Sequence, residues 1–194
     1  MLGQLDNRGS ILRNSDRTSR EEGNSWATEK LSERAFDRMV HNNPGMMLAI
    51  KDAVKRMSDE QFDYCVKSAP EATFFPKDVF YKMLDVQFKY VVRAVPAKAL
   101  SVPHAVSRMT SAMLKEAISL ASVAALKNPN LNGYIAMDQF KECVLKHPDV
   151  ALATPHILDR MDNSIFEQCL QAAPEAVKEN NAVYFRALRQ GLIK

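Results

Sequence analysis

The chain has 194 residues, 46% of them apolar, and a formal net charge of +3. That apolar content supports one domain that buries roughly 70% of its chain surface on folding, without a covalent or metal staple. Three cysteines, an odd number, and no apolar run ahead of a cleavage site argue against a secreted disulfide framework and set a reducing, cytoplasmic compartment as the expectation; the longest uncharged apolar run, residues 117–126, is too short to span a bilayer.

Residues 1–24 are polar and rich in Ser, Asn, Arg and Asp, the composition of a disordered segment. From Ser25 onward Trp26, Leu31 and Ala35 have helical spacing, which predicts an extension over residues 25–35 that caps the open end of the array behind it. That array begins at Phe36. Phe36, Phe62, Phe88, Leu114, Phe140 and Phe166 fall 26 residues apart with no insertion. Counting each as position 1, position 5 reads Val40, Val66, Val92, Ile118, Val144, Leu170, and position 9 reads Pro44, Pro70, Pro96, Ser122, Pro148, Pro174. Position 22 reads Met57, Met83, Met109, Ile135, Met161, Ala187. Four columns in register define six copies, 36–61, 62–87, 88–113, 114–139, 140–165 and 166–191, with a tail at 192–194.

Within a copy, apolar or small residues at positions 1, 4, 5 and 8 share one helical face. Ser58 with Gln61, and Asp162 ahead of Ile165, supply capping oxygens at the start of this first helix. The proline at position 9 must end it by position 8 and opens a short helical turn. Asn128-Pro129 and Thr154-Pro155 then begin a second helix whose positions 18, 19 and 22 face inward. Two short helices cannot bury an apolar stripe alone, so neighbours must stack. The expected fold is all-α, an α-solenoid of six 26-residue helix-turn-helix repeats. The fourth copy departs: without the proline, residues 111–126 are predicted to run as one longer helix, and Asn132-Gly133 replaces helix-forming residues. Gly191 is expected to terminate the last helix, leaving Leu192 and Ile193 exposed or folded back over the final copy.

Segments such as Phe88-Lys-Tyr-Val-Val-Arg-Ala-Val-Pro-Ala-Lys-Ala-Leu100 and Phe140-Lys-Glu-Cys-Val-Leu-Lys-His-Pro-Asp-Val-Ala-Leu152 resemble a bacterial tandem α-helical repeat family of unknown function, which alternates a "Val-Val-Leu-Ala-Ala-Val-Lys" helix with an "Ala-Leu" turn and a second short helix. That family includes secreted effectors of intracellular bacteria, so the resemblance implies an effector or adaptor, secreted or cytosolic. This chain carries proline where the family usually has Asn-Gly, and methionine at position 22. The proline followed by leucine, as in Pro96 with Leu100, gives a weaker similarity to mitochondrial transcription termination factor repeats, which implies nucleic-acid binding.

Cys65, Cys143 and Cys169 all occupy position 4 and read as core thiols. Cys143 and His147 are four apart, half of a metal site with no second pair of ligands at suitable spacing. His104 and His156 share position 17, at the start of the second helix, where local capping or exposure is expected. Position 21 is the column that invites a binding role: Arg56, Lys82, Arg108, Tyr134, Arg160, Arg186. One cation per repeat makes a ladder that can track a polyanion, with Tyr134 available to stack on a base, yet the same position suits a cation whose stem covers apolar surface near a helix C-terminus. Tyr64, Lys67, Lys89, Tyr90 and Arg93 add a basic-aromatic cluster on the first helices of copies two and three, interleaved with Asp63 and Glu71. The six glycines form no phosphate loop, and no nucleophile-elbow or zincin motif occurs, so no catalytic residue, metal or cofactor is expected. The reading favours a non-enzymatic scaffold for a protein partner. A nucleic-acid-binding solenoid is the alternative, self-association through the ends is a third, and no membrane role is expected.

Overall fold

A computed structural model of the protein describes residues 30–193. The expectations for residues 1–24, for Trp26 with the rest of 25–29, and for Lys194 lie outside the described residues. Every regular element among the described residues is helical. The chain divides into two compact units, residues 1–91 and 92–194.

The first unit holds α1 (Glu33–Asn42), α2 (Pro44–Ala49), α3 (Lys51–Arg56), α4 (Asp59–Ser68), a 3-10 segment (Pro70–Phe74) and α5 (Lys77–Lys82), and α6 (Asp85–Ala94) carries the chain across the division. The second unit continues with α7 (Pro96–Ser101), α8 (Pro103–Arg108), α9 (Ser111–Leu120), α10 (Ser122–Lys127), a 3-10 turn (Pro129–Leu131), α11 (Met137–Lys146), α12 (Pro148–Ala153), α13 (Pro155–Arg160), α14 (Asn163–Ala172), α15 (Ala176–Glu179) and α16 (Asn181–Arg189). The ten-residue helices start at Glu33, Asp59, Asp85, Ser111, Met137 and Asn163, at the 26-residue interval of the sequence columns. In the first unit α2 packs on α4 and on the 3-10 segment; in the second, α7 packs on α9, α9 on α11, and α12 on α14.

Five of the ten-residue helices, α1, α4, α9, α11 and α14, start from an extended residue, and four of these residues carry a capping side chain. Ser58 accepts from Gln61 N while the Gln61 amide oxygen accepts from Ser58 N, and Thr110 and Asp162 cap α9 and α14 in the same register. The face at positions 1 and 5 is buried: Phe36, Phe62, Phe88, Phe140 and Phe166 with Val40, Val66, Val92 and Val144. Each such Phe contributes about 2–3 kcal/mol of transfer free energy. At position 22 Met57 and Met83 are buried in the first unit and Ile135 and Met161 in the second.

The segment after four of the long helices, α1, α6, α9 and α11, is a six-residue helix, longer than the expected turn. Proline at N1 opens α2, α7 and α12, each six residues long, and a second break leads into another short helix. The residue before the break takes nearly the same conformation throughout: φ −139°, ψ 56° at Asn43, φ −135°, ψ 62° at His147 and φ −130°, ψ 50° at Ala121.

Ala121 corrects the expectation of one long helix over 111–126, because the chain bends there with no proline to force it. The cause is tertiary. A 16-residue rod would extend about 24 Å, and α10 instead packs on α7 and α12, which turn the same corner. Buried Ser122 secures the bend through a 2.8 Å hydrogen bond with His147 Nε2.

The entry to the first helix differs from expectation in detail, while the far end agrees with it: Gly191 ends the last helix and the tail folds back. Residues 30–32 are not helical: a turn and a bend lead into Ser32, which is extended and caps α1, so the helix starts at Glu33. At the far end Gly191 has φ 69°, Gly191 N donates to Leu188 O and Leu192 N donates to Ala187 O, each at 3.0 Å. These are the two bonds of a Schellman cap. Leu192 and Ile193 consequently fold back, half-buried, alongside Leu170, Pro174 and Val177 around a cavity of about 520 Å³.

Candidate binding surfaces

The basic residues of the position 21 column sit in the last turn of a helix, and the heads of Arg56, Lys82, Arg160 and Arg186 turn back toward residues that precede their own copy. Arg186 Nη1 donates to Leu158 O at 2.6 Å and Nη2 to Met161 O at 2.8 Å, while its guanidinium lies 4.4 Å from the Phe166 ring centroid. Arg160 repeats the arrangement one copy earlier, donating to Asn132 O, Asn132 Oδ1 and Ile135 O with its guanidinium 4.3 Å from the Phe140 centroid. In the first unit Arg56 Nη2 donates to Leu31 O at 2.9 Å and to Glu33 Oε1 at 2.6 Å, over Phe36 at 4.3 Å. Lys82 Nζ reaches Val54 O at 3.0 Å and lies 4.7 Å from the Phe62 centroid.

Physics explains the choice of residue. The last carbonyls of a short helix have no intrahelical partner, and a planar fork satisfies two at once while its face rests on an aromatic quadrupole. Burial pulls both Arg160 and Arg186 below the ordinary arginine value, and both stay charged. Arg56, Lys82, Arg160 and Arg186 are therefore clasps rather than a row of solvent-facing cations, which corrects the phosphate-ladder geometry for these four. Arg108 is half-buried and also has an interaction partner. In copy four, Leu114 replaces Phe at position 1 and Tyr134 replaces the cation at position 21, so both halves of the clasp are absent together. Tyr134 is 64% exposed.

The basic-aromatic cluster is largely spent on local bonds as well. Tyr64 Oη donates to His41 O and Tyr90 Oη to Lys67 O, each at 3.3 Å, and the Tyr64 ring stacks at 4.6 Å on His41. Lys67 pairs with Asp63 at 2.6 Å; that bond, with help from Gln87, holds the Asp63 carboxyl below its usual range. In the second unit Arg93 pairs with Glu116 at 2.7 Å. Lys89 is exposed.

Sequence reading missed a polar column just ahead of the phenylalanines. Gln61 and Gln87 donate to Asp37 and Asp63, and Gln139 donates to Lys115 O, each reaching 24 residues back. Asn128 and Asn180 each cap their own helix through Oδ1 and donate through Nδ2 to Leu100 O and Leu152 O. Recurrence of one amide residue at one repeat position was the available signal.

His156 donates to Leu126 O at 2.9 Å, a longer reach than the expected local cap, and His104 is half-buried rather than exposed. The three thiols are free and buried; burial raises Cys65 and Cys169 to about 11 and raises Cys143, with Glu142 adding to the effect there. Thiols held protonated this way are poor nucleophiles and poor ligands. Among the described residues no group of three or more His, Cys, Asp or Glu could hold a metal, and no helix is long and apolar enough to cross a membrane.

One concavity coincides with the irregular copy. A cleft of about 430 Å³ lies between α7 and α8 on one side and α10 with the 3-10 turn on the other. It exists because three residues of 3-10 turn and Asn132-Gly133 stand where other copies place a helix, and a Cβ built on Gly133 would meet nothing within 4 Å. Leu100, Pro103, Val106 and Leu131 line it, with Lys127, Asn130 and Tyr134 among its other walls.

Comparison of the chain with protein-family models, curated proteins and solved structures found no match.

Proposed function

We propose that the chain is a non-enzymatic α-solenoid of six 26-residue repeats that serves as a binding scaffold for a protein partner. The observation that carries this reading is the engagement of Arg56, Lys82, Arg160 and Arg186 by backbone carbonyls and phenylalanine rings. A polyanion-tracking protein needs cations whose heads are free to displace counterions, and here four of the repeated cations are engaged by carbonyls and rings, Lys82 while still exposed. What differs from copy to copy is the outward surface and the open fourth copy, the features through which repeat scaffolds discriminate among protein partners.

The test is a fluorescence-anisotropy titration against single- and double-stranded DNA and RNA at 50 and 150 mM salt. The expected result is no binding tighter than about 10 μM at either salt. Affinity that falls steeply with salt, and that is lost in a folded Arg108→Glu/Arg160→Glu variant, overturns the protein-scaffold reading in favour of a nucleic-acid solenoid.

A further inference from the structure

We infer that the cleft in the fourth copy receives an extended peptide segment of the partner in which an aliphatic side chain stands next to an Asp or Glu carboxylate. The inference rests on the protein-scaffold reading and specifies where and by what chemistry that scaffold grips.

The floor is aliphatic, built from Leu100, Pro103, Val106 and Leu131. Its volume of about 430 Å³ falls within the roughly 300–1,000 Å³ of sites that hold a buried ligand group. Around this floor the polar groups divide in two. Ser101 and Ser107 donate to carbonyls of their own helices, and both ends of the Asn128 amide are used. The side chains of Lys127, Asn130 and Tyr134 have no hydrogen-bond or ion-pair partner among the described residues. Lys127 is exposed, is the one charged residue lining the cleft, and no carboxylate lines it.

An ammonium, an amide and a phenol without partners around an apolar floor complement an aliphatic group flanked by an anion. A single cation is too few for a nucleic-acid backbone, whose affinity grows with each phosphate neutralised. The Asn130 amide can pair with one peptide unit of an extended segment, and Tyr134, 64% exposed, offers a flat apolar wall of the cleft for the next side chain. Copy four has relinquished its internal clasp at the position where this wall stands. Local departures from an otherwise consistent pattern concentrate at functional sites.

The experiment is a random-peptide display selection on the full chain. Selected peptides are then synthesised and titrated by anisotropy against the native chain, Lys127→Glu and Tyr134→Ala, with circular dichroism confirming that these exposed substitutions leave the fold intact. The expected consensus pairs an aliphatic residue with Asp or Glu. Replacing that acid by its amide should weaken binding roughly tenfold, and Lys127→Glu should abolish the preference for the acid. A consensus with no acid overturns the cleft inference, as does an acidic consensus bound equally by all three chains, and either leaves the scaffold reading standing. Enrichment of no peptide at all overturns both.

Discussion

Replacing Arg160 by alanine tests the clasp directly. The substitution deletes charge-assisted bonds to Asn132 O, Asn132 Oδ1 and Ile135 O and uncovers one face of Phe140. Hydrogen bonds to charged groups are each worth about 1.5–3 kcal/mol, and the cation over the ring adds about 0.5–1 kcal/mol. Water reaches the freed carbonyls at the end of the 3-10 turn and recovers part of this, so the expected loss is about 3 kcal/mol. With a urea dependence of about 2 kcal/mol per molar, the midpoint should fall by about 1.5 M. Arg160→Lys should fall only about half as far, since Lys82 shows that an ammonium can keep one carbonyl and the ring. Denaturation followed by both circular dichroism and Phe/Tyr fluorescence provides the measurement, with coincidence of the two curves as the check on cooperativity. A change within 0.5 kcal/mol in Arg160→Ala, the range of an ordinary surface substitution, would refute the reasoning.

The missing clasp in copy four should be restorable: Leu114→Phe with Tyr134→Arg is expected to show a favourable coupling of about 1 kcal/mol in a double-mutant cycle, which additive single effects would disprove. Cys65 and Cys169 titrate near 11 when folded against an ordinary 9.0, so the folded chain keeps protons that the unfolded chain releases. Stability is therefore unaffected by these thiols below pH 9 and declines between pH 9 and 11, by up to about 2.7 kcal/mol per thiol, and a Cys65→Ala/Cys169→Ala chain should show a shallower alkaline decline. Gly191→Ala should cost about 1 kcal/mol in chemical denaturation because φ 69° is strained for any side chain. Gly133→Ala, where a Cβ meets only open space and φ is not positive, should be neutral or stabilising by about 0.5 kcal/mol.

The helix starts were legible because most of the long helices carry their own signals: a capping side chain, a buried Phe at position 1, a Val at position 5 and a proline after the last turn. The break at Ala121 was not, because nothing within residues 111–126 disfavours a straight helix and the corner is imposed by α7 and α12. The non-helical entry at residues 30–32 was missed for a related reason: the spacing of Leu31 and Ala35 suits a helix, yet Ser32 is used as a cap. In the candidate site, the column of cations was visible while its direction was not. Arg186 lies on the flank of its helix, where composition alone allows the head to face solvent or the preceding carbonyls; the decision comes from unpaired acceptors 25 and 28 residues earlier. The cleft had no positive signal beyond Asn132-Gly133, since a space is made by residues that are small or absent.

The clasps share a direction. Arg186 and Arg160 in the second unit, and Arg56 and Lys82 in the first, supply donors to acceptors that precede them in the chain, as do Asn128, Asn180, Gln87 and Gln139. A ribosome releases the acceptors first. By the time each of these arginines or asparagines leaves the exit tunnel, the carbonyls it needs belong to a segment already synthesised, so within each unit these bonds can form in the order of translation. Interrupted synthesis would then leave a shorter chain whose last segment lacks both the donors and the apolar cover of a successor, a state that nascent-chain truncation series can observe.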